Sequence, residues 1–273
     1  MTTIPVTLAN GRSISFEVRT GLAGPPLFLF SVRKCGSSIV NKIVRAVAHA
    51  NNCNYVDVSG SFFKANILPK DYRFDEGLLP ILHGGNIYGG FRAMVPALRV
   101  SPLFRESPKL LLIRDPRDAL VSEYFSNAYS HPIPQTTDGH DEVKQQMKLQ
   151  RETALAMPLE KYVVHRAPGM KLSMMEYRKV FKDPGTTLLK YEDYIFDKRS
   201  LMLVIAEKFR WHVDEDLIRR ILEWADIRPE HENPTAFIRK VTPGDHREKL
   251  SAETISALNK ILRPVLRLYN YPR

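Results

Sequence analysis

Three short stretches gather cations and hydroxyls into patterns suited to holding an anion. The first is "SVRKCGSSIVNKIVRAV", residues 31–47, which places Arg33, Lys34, Cys35, Gly36, Ser37 and Ser38 just before a helical pattern. A helix start leaves its first N–H groups unpaired and carries positive partial charge, so it attracts anions. Two cations beside it make a phosphate loop. The plainer reading is that Ser37 or Ser38 only caps the helix. A nucleoside-triphosphate loop would read G-x-x-x-x-G-K-[ST]. Here Lys34 precedes Gly36, no glycine opens the loop, and no lysine precedes the hydroxyl that would hold Mg²⁺.

The second stretch is "LLLIRDPRDALVSEYFS", with Arg114 closing an apolar run and Ser122 eight residues on. A guanidinium at a strand end can grip a phosphate with two parallel hydrogen bonds, and a hydroxyl two helical turns later can add a third. Equally, Arg114 could pair with Asp115 or Asp118 while Ser122 faces water. The third is "FIRKVTPGDHREKLS", which spreads Arg239, Lys240, Arg247 and Lys249 around a Pro-Gly turn. It reads either as a loop that closes over an anion and excludes water or as a solvated charged face.

These stretches need a scaffold. "TLANGRSISFEV" has the Asn-Gly signal of a β-hairpin. "PLFLFSV" is a continuous apolar run, as in a strand buried on both faces. Residues 37–50 follow as a helix with Ile39, Val40, Ile43, Val44 and Val47 on one face. Further strands are expected at 53–60, 86–91, 108–115 and 185–194. Helices are expected at 117–130, over much of 151–182 with a break near Pro168-Gly169, at 198–211, at 214–226 and near 251–268. The alternation implies an α/β fold, a mostly parallel central sheet flanked by helices. It also implies one domain, 1–273, with residues 1–24 appended as a hairpin. Ligands of such sheets lie at the carboxyl ends of the strands. The loops at 32–38 and 114–117 both follow apolar strands, so both should open on the same edge.

Composition narrows the classes. The 273 residues carry 40 Lys and Arg against 30 Asp and Glu, a formal charge of +10. That charge suits an acidic ligand, nucleic acid or an anionic membrane surface. The cations are dispersed, and no nucleic-acid reader motif accompanies them. Two cysteines, Cys35 and Cys53, are too few for a disulfide framework. No apolar stretch approaches the ~18 residues of a membrane span, so no transmembrane segment is expected, and peripheral membrane contact stays open. No signal peptide is evident, and a cytoplasmic setting is expected.

Together the segments resemble the sulfotransferases that use 3′-phosphoadenosine 5′-phosphosulfate (PAPS). "RKCGSSI" is similar to that family's P-K-S-G-T-T-W loop, and "RDPRDALVS" to its R-x-P-[KR]-D-x-x-x-S segment. "RKVTPGDHREKLS" resembles its R-K-G-x-x-G-D-W-[KR]-x-x-[LF]-[ST] loop. "YEDY" matches a Tyr-Glu-Asp after a later strand, and "MPLEKYVVHRA" a weaker segment. The segments run in the family's order from residue 30 to 251.

The resemblance implies a P-loop-like fold, PAPS as cofactor with 3′,5′-adenosine bisphosphate as product, and no metal requirement. Lys34 matches the lysine at the bridging oxygen, where charge develops on the leaving phosphate. Gly36, Ser37 and Ser38 would donate to the 5′-phosphosulfate. Arg114, Ser122, Arg239 and Lys240 match residues that hold the 3′-phosphate, and Tyr191 one near the adenine. Departures accompany the match. Ile39 stands where a tryptophan stacks on the base, Arg33 replaces proline and adds a cation, and Cys35 replaces serine. Val241 replaces glycine and His246 replaces tryptophan.

The acceptor base is open. Many members place a histidine after the strand matching "NIYGGFRAM", where Arg92 stands here. His83, a few residues earlier, and Asp57, at the end of the preceding strand, compete for the role. Segments 57–85 and 131–160 are expected to line the acceptor site, and the acceptor would be a hydroxyl of a small molecule, lipid or glycan. A P-loop kinase or NTPase and a non-catalytic nucleotide-binding module are the alternative functions. A thiol among cations also invites a redox role for Cys35.

Overall fold

The computed structural model describes residues 1–133 and 141–272. It divides into two compact units. The first comprises residues 1–32, 36–113 and 179–226, and the second the described residues of 33–35, 114–178 and 227–273.

The first unit contains the sheet. The apolar run after Pro26 becomes β3 (Leu27–Ser31), and β4 (Asn54–Asp57), β5 (Asn86–Phe91), β6 (Lys109–Ile113) and β7 (Thr186–Lys190) join it in the order β4-β5-β3-β6-β7. Every neighbouring pair is parallel. All five residues of β6 are buried, as expected of a central strand covered on both faces. Between Phe28 and Phe30 the pairing of β3 with β5 shifts by one residue. The helix Ser37–Ala50 packs its apolar stripe, Val40, Ile43, Val44 and Val47, toward β4 and β5. β1 (Thr2–Thr7) and β2 (Ser13–Val18) form the antiparallel hairpin, turning through Gly11 at φ 81°.

Asn86 ties this hairpin to the sheet. Its Nδ2 donates to the carbonyls of Arg19, His83 and Gly84, and its Oδ1 accepts from Arg19 N and Asn54 Nδ2.

Several elements differ from their expected bounds, three of them for a clear local reason. The strand expected over 53–60 stops at Asp57, because the Asp57 carboxylate accepts from Gly60 N at 3.0 Å and caps the helix Val58–Lys64. The strand expected over 185–194 stops at Lys190, and Tyr191–Tyr194 is a helical turn. The break expected at Pro168-Gly169 does not occur.

That last difference lies in the second unit, where the helix Leu159–Glu176 runs through Pro168. Buried Ala167, Met170 and Met174 flank the proline, the helix Ala252–Leu268 packs alongside, and Tyr269 Oη donates to Met174 O at 2.8 Å. Tertiary packing outweighs the lost backbone hydrogen bond. The helix Pro116–Phe125 follows Arg114 and widens to a π-turn at Ser126–Ser130. Among the described residues no helix is long and apolar enough to cross a membrane.

Candidate active site

The first loop is built around two left-handed residues. Lys34 has φ 65° and Gly36 φ 79°. For lysine this conformation costs about 1–2 kcal/mol, a strain of the kind found where a loop must present backbone to a ligand. Gly36 is the N-cap of the helix Ser37–Ala50, and no side chain caps it. The capping reading of Ser37 or Ser38 is therefore not realised. Ile39 N and Val40 N both donate to Gly36 O. The amides of Ser37 and Ser38 precede them as the outward donors of the helix start. No acidic side chain occupies the first turn. A Cβ on Gly36 would lie 3.1 and 3.2 Å from the Tyr191 ring and 3.4 Å from Tyr194 Oη. Gly36 is thus required both for its φ and for the close approach of Tyr191. Cys35 is fully buried, which suits a small residue in serine's place and withholds the thiol from solvent.

Arg114 gathers the second unit's cationic segments. Its Nη1 donates to Lys34 O and its Nη2 to Thr242 O, each at 3.5 Å. Of the two carboxylates expected to compete for it, Asp118 lies 3.8 Å from Nη2, whereas Asp115 is taken by Arg117 at 2.6 Å. Arg117 continues to Asn259 Oδ1 and Pro272 O. Ser122 lies two turns along the helix Pro116–Phe125 and is partly exposed.

Arg33 reaches away toward Glu123, its Nε 4.0 Å from the carboxylate. Arg166 Nε and Tyr162 Oη donate to the same carboxylate. Burial alone would raise the Glu123 pKa, but Arg33 and Arg166 outweigh it and hold the group ionised below its usual range. The extra cation at Arg33 thus faces a buried carboxylate while its own side chain stays partly exposed.

The third stretch is partly folded in: Arg247 is exposed, whereas Arg239, Lys240 and Lys249 hold carboxylates. Arg239 is buried, stacks on the Phe125 ring at 4.3 Å and pairs with Glu232 and Asp245. Lys240 pairs with Asp245 at 3.2 Å and Glu248 at 2.5 Å. These contacts raise the Lys240 pKa against the opposing effect of burial. His246 is buried, and its main-chain N and Nδ1 both meet Asp118 Oδ1, at 2.9 and 2.6 Å.

The candidate bases separate along the sheet of the first unit. His83 precedes β5, and the neighbouring Gly84 packs on the Gly24 carbonyl just before β3. It therefore sits at the amino-terminal edge, about one strand length, roughly 15–20 Å, from the edge where β3 gives way to Gly36. Asp57 is the last residue of β4, and Arg92 follows the carboxyl end of β5. Asp57 packs so closely on the bend at Gly90 that a Cβ there would come within 2.0 Å of Oδ1, and Arg45 Nη2 lies 3.5 Å from Oδ2. Beside it, Tyr55 Oη donates to Asn41 Oδ1 at 2.6 Å. Burial first and the Asp57 charge second push the Tyr55 pKa up. Of the segment 131–160, residues 134–140 lie outside the described residues.

A family model described as the sulfotransferase domain matches residues 92–270, well over half of the chain. The chain belongs to the sulfotransferase family. By sequence search no curated protein matches this sulfotransferase. Its fold is similar to that in a crystal structure of the mouse sulfotransferase SULT7A1 complexed with PAP. That match has a TM-score of 0.58 and 13% identity, and covers 93% of this chain and 91% of the other. A sulfotransferase structure from Alicyclobacillus acidocaldarius matches at a TM-score of 0.43 and 14% identity, over 89% and 97% of the two chains.

In this sulfotransferase, Lys34, Arg114 and the backbone at Thr242 come together in one unit, and Gly36 and Tyr191 in the other. Asp245 escaped the sequence reading, and Asp118 entered it only as a possible partner of Arg114. Each is almost fully buried and anchors cations or amides of the cationic stretches. The available signal was that both lie inside the cationic motifs, in "RDPRD" and "PGDH".

Proposed function

We propose that the protein transfers a sulfuryl group from PAPS to a hydroxyl of a small-molecule, lipid or glycan acceptor. One observation carries the reading. The Arg114 guanidinium reaches both Lys34 O and Thr242 O, so three segments expected to hold the donor meet at one side chain. The fit to an anionic nucleotide is supported by the outward helix-start amides, the glycine that lets Tyr191 approach, and an ammonium beside the loop.

PAPS, when bound, would supply the sulfuryl group and a phosphate leaving group. Sulfuryl transfer needs little covalent work from the protein, so positioning and charge stabilisation dominate, as in phosphoryl transfer. Lys34 holds its positive charge for the bridging oxygen that receives the electron pair when the S–O bond breaks. Ser37 and Ser38 donate to the 5′-phosphosulfate. Arg114 and Ser122, with Arg239 and Lys240, hold the 3′-phosphate, while Ile39 and Tyr191 border the adenine. Arg239 and Lys240 already hold carboxylates, so they contribute by exchanging an ion pair or through the backbone beside them.

Asp57 is the proposed base, and it takes the acceptor's proton as the new O–S bond forms. The position of His83 at the opposite edge of the sheet disfavours it. Arg92 and Arg45 flank Asp57's edge and orient the acceptor.

The test is a calorimetric titration with 3′,5′-adenosine bisphosphate, using ATP–Mg²⁺ and 5′-AMP as controls, followed by a sulfate-transfer assay. Selective binding of the bisphosphate is expected. Preference for ATP–Mg²⁺ would move the protein to the kinase or NTPase class, and bisphosphate binding without transfer to any hydroxyl would make it a binding module.

A further inference from the structure

We propose that Asp118 and His246 form a positioning pair that presets the residues for the 3′-phosphate. The proposal rests on the PAPS reading above and extends it to two residues outside the ligand-binding set.

The Asp118 side chain is 1% exposed and every oxygen contact it makes is to a donor-binding segment. Oδ2 accepts from Gly244 N at 2.6 Å and lies 3.8 Å from Arg114 Nη2. Oδ1 accepts two donors from one residue, His246 N at 2.9 Å and His246 Nδ1 at 2.6 Å. One carboxylate thus fixes a guanidinium and the backbone of the loop that follows Lys240. Arg114 in turn donates to Thr242 O, two residues before Gly244. The next residue, Asp245, pairs with Arg239 and Lys240. The loop is held on one side by Asp118 and holds its own cations on the other.

His246 explains why the arrangement tolerates the loss of tryptophan. Its Nδ1–H and its own amide converge on a single oxygen, a two-point grip that fixes both ring and backbone. The contact requires the tautomer or charge state with hydrogen on Nδ1. An ionised Asp118 is the acceptor, and its charge also orients Arg114. A neutral amide in its place would turn an N–H toward Gly244 N or His246 N and lose one contact on either side.

A structural role alone would weaken all nucleotides together, whereas a positioning role for the 3′-phosphate weakens only those that carry it. The experiment is binding of 3′,5′-adenosine bisphosphate and of 5′-AMP to the full chain and to Asp118→Asn, His246→Ala and His246→Asn. The asparagine amide occupies the place of Nδ1 and can donate to Asp118. Bisphosphate affinity should fall about 10- to 100-fold in Asp118→Asn and His246→Ala, with 5′-AMP affinity within about twofold of the parent and His246→Asn recovering most of the loss. With PAPS as substrate, KM rises while kcat is largely kept. If Asp118→Asn does not fold, the histidine pair decides alone. Equal losses for both nucleotides, or His246→Asn no better than His246→Ala, would overturn the pair while leaving the donor reading intact. Failure of the parent protein to bind the bisphosphate would instead overturn the donor reading and this proposal with it.

Discussion

The Arg114 guanidinium donates to the Lys34 carbonyl oxygen at 3.5 Å across 80 residues of sequence. It joins the loop that follows β3 to the helix that follows β6. β3 and β6 are adjacent and parallel, so their carboxyl ends lie at the same edge of the sheet, as the alternation of apolar runs and helices implied. Replacing Arg114 by alanine removes charge-assisted contacts to the ligand and to the loop. Affinity for 3′,5′-adenosine bisphosphate is expected to fall by about 1.5–3 kcal/mol. Arg114→Lys should recover little, since an ammonium cannot bridge two directions as a planar fork does. Calorimetric titration of both variants checks this.

Lys34 should behave differently. It is proposed to act where charge develops, so Lys34→Ala should lower kcat by about two to three orders of magnitude. Bisphosphate binding should change much less. Single-turnover assays beside a binding titration separate the two, and a loss confined to binding would refute the assignment.

Gly36 is a stability determinant. Alanine there must hold φ 79° and place a methyl 3.1 Å from the Tyr191 ring. Gly36→Ala should cost about 1–2 kcal/mol from the backbone alone, with the contact adding to it. Chemical denaturation measures the sum, and the Tyr191→Ala background should relieve only the steric part.

The two candidate bases can be told apart. Asp57→Asn should reduce kcat about 10²- to 10⁴-fold, whereas His83→Ala should leave it nearly unchanged. A steady-state comparison at one acceptor concentration suffices, and the reverse ranking would return the role to His83.

Asp118 predicts the acid behaviour. Burial by itself would raise its pKa, but the His246 hydrogen bond, Arg114 and the amides of His246 and Gly244 bring it down to about 2, from an ordinary 3.8. A depressed folded-state value stabilises above the unfolded pKa and is lost as pH falls through the folded one. The window is therefore about pH 4 down to about 2, and the contribution is on the order of 2 kcal/mol. Urea melts across this window should show a shallower loss for Asp118→Asn than for the parent protein.

Much of this was legible in the sequence because strong local signals agreed with the fold. The largely apolar β3 and β6, the helix over 37–50 and the strand over 86–91 stand where the sequence pattern put them. The misplaced ends have local causes. Asp57 looks like a strand residue but its carboxylate caps a helix, and Pro168 looks like a breaker but is carried by buried neighbours. Asp245, and the reach of Asp118 beyond Arg114, were hidden for another reason. A carboxylate inside a cationic motif reads as a neutralising neighbour, and only three-dimensional placement shows it gripping amides 126 and 128 residues away.

Asn86 sets a different kind of limit. Its amide nitrogen faces three carbonyl oxygens at once, those of Arg19, His83 and Gly84. Aspartate has the same shape but would turn an oxygen toward all three. Asn86→Asp, a one-atom change that alters little volume, would convert the clasp between hairpin and sheet into a point of repulsion. The docking of the hairpin thus depends on a single nitrogen, and in that variant the hairpin should be the first part to come loose.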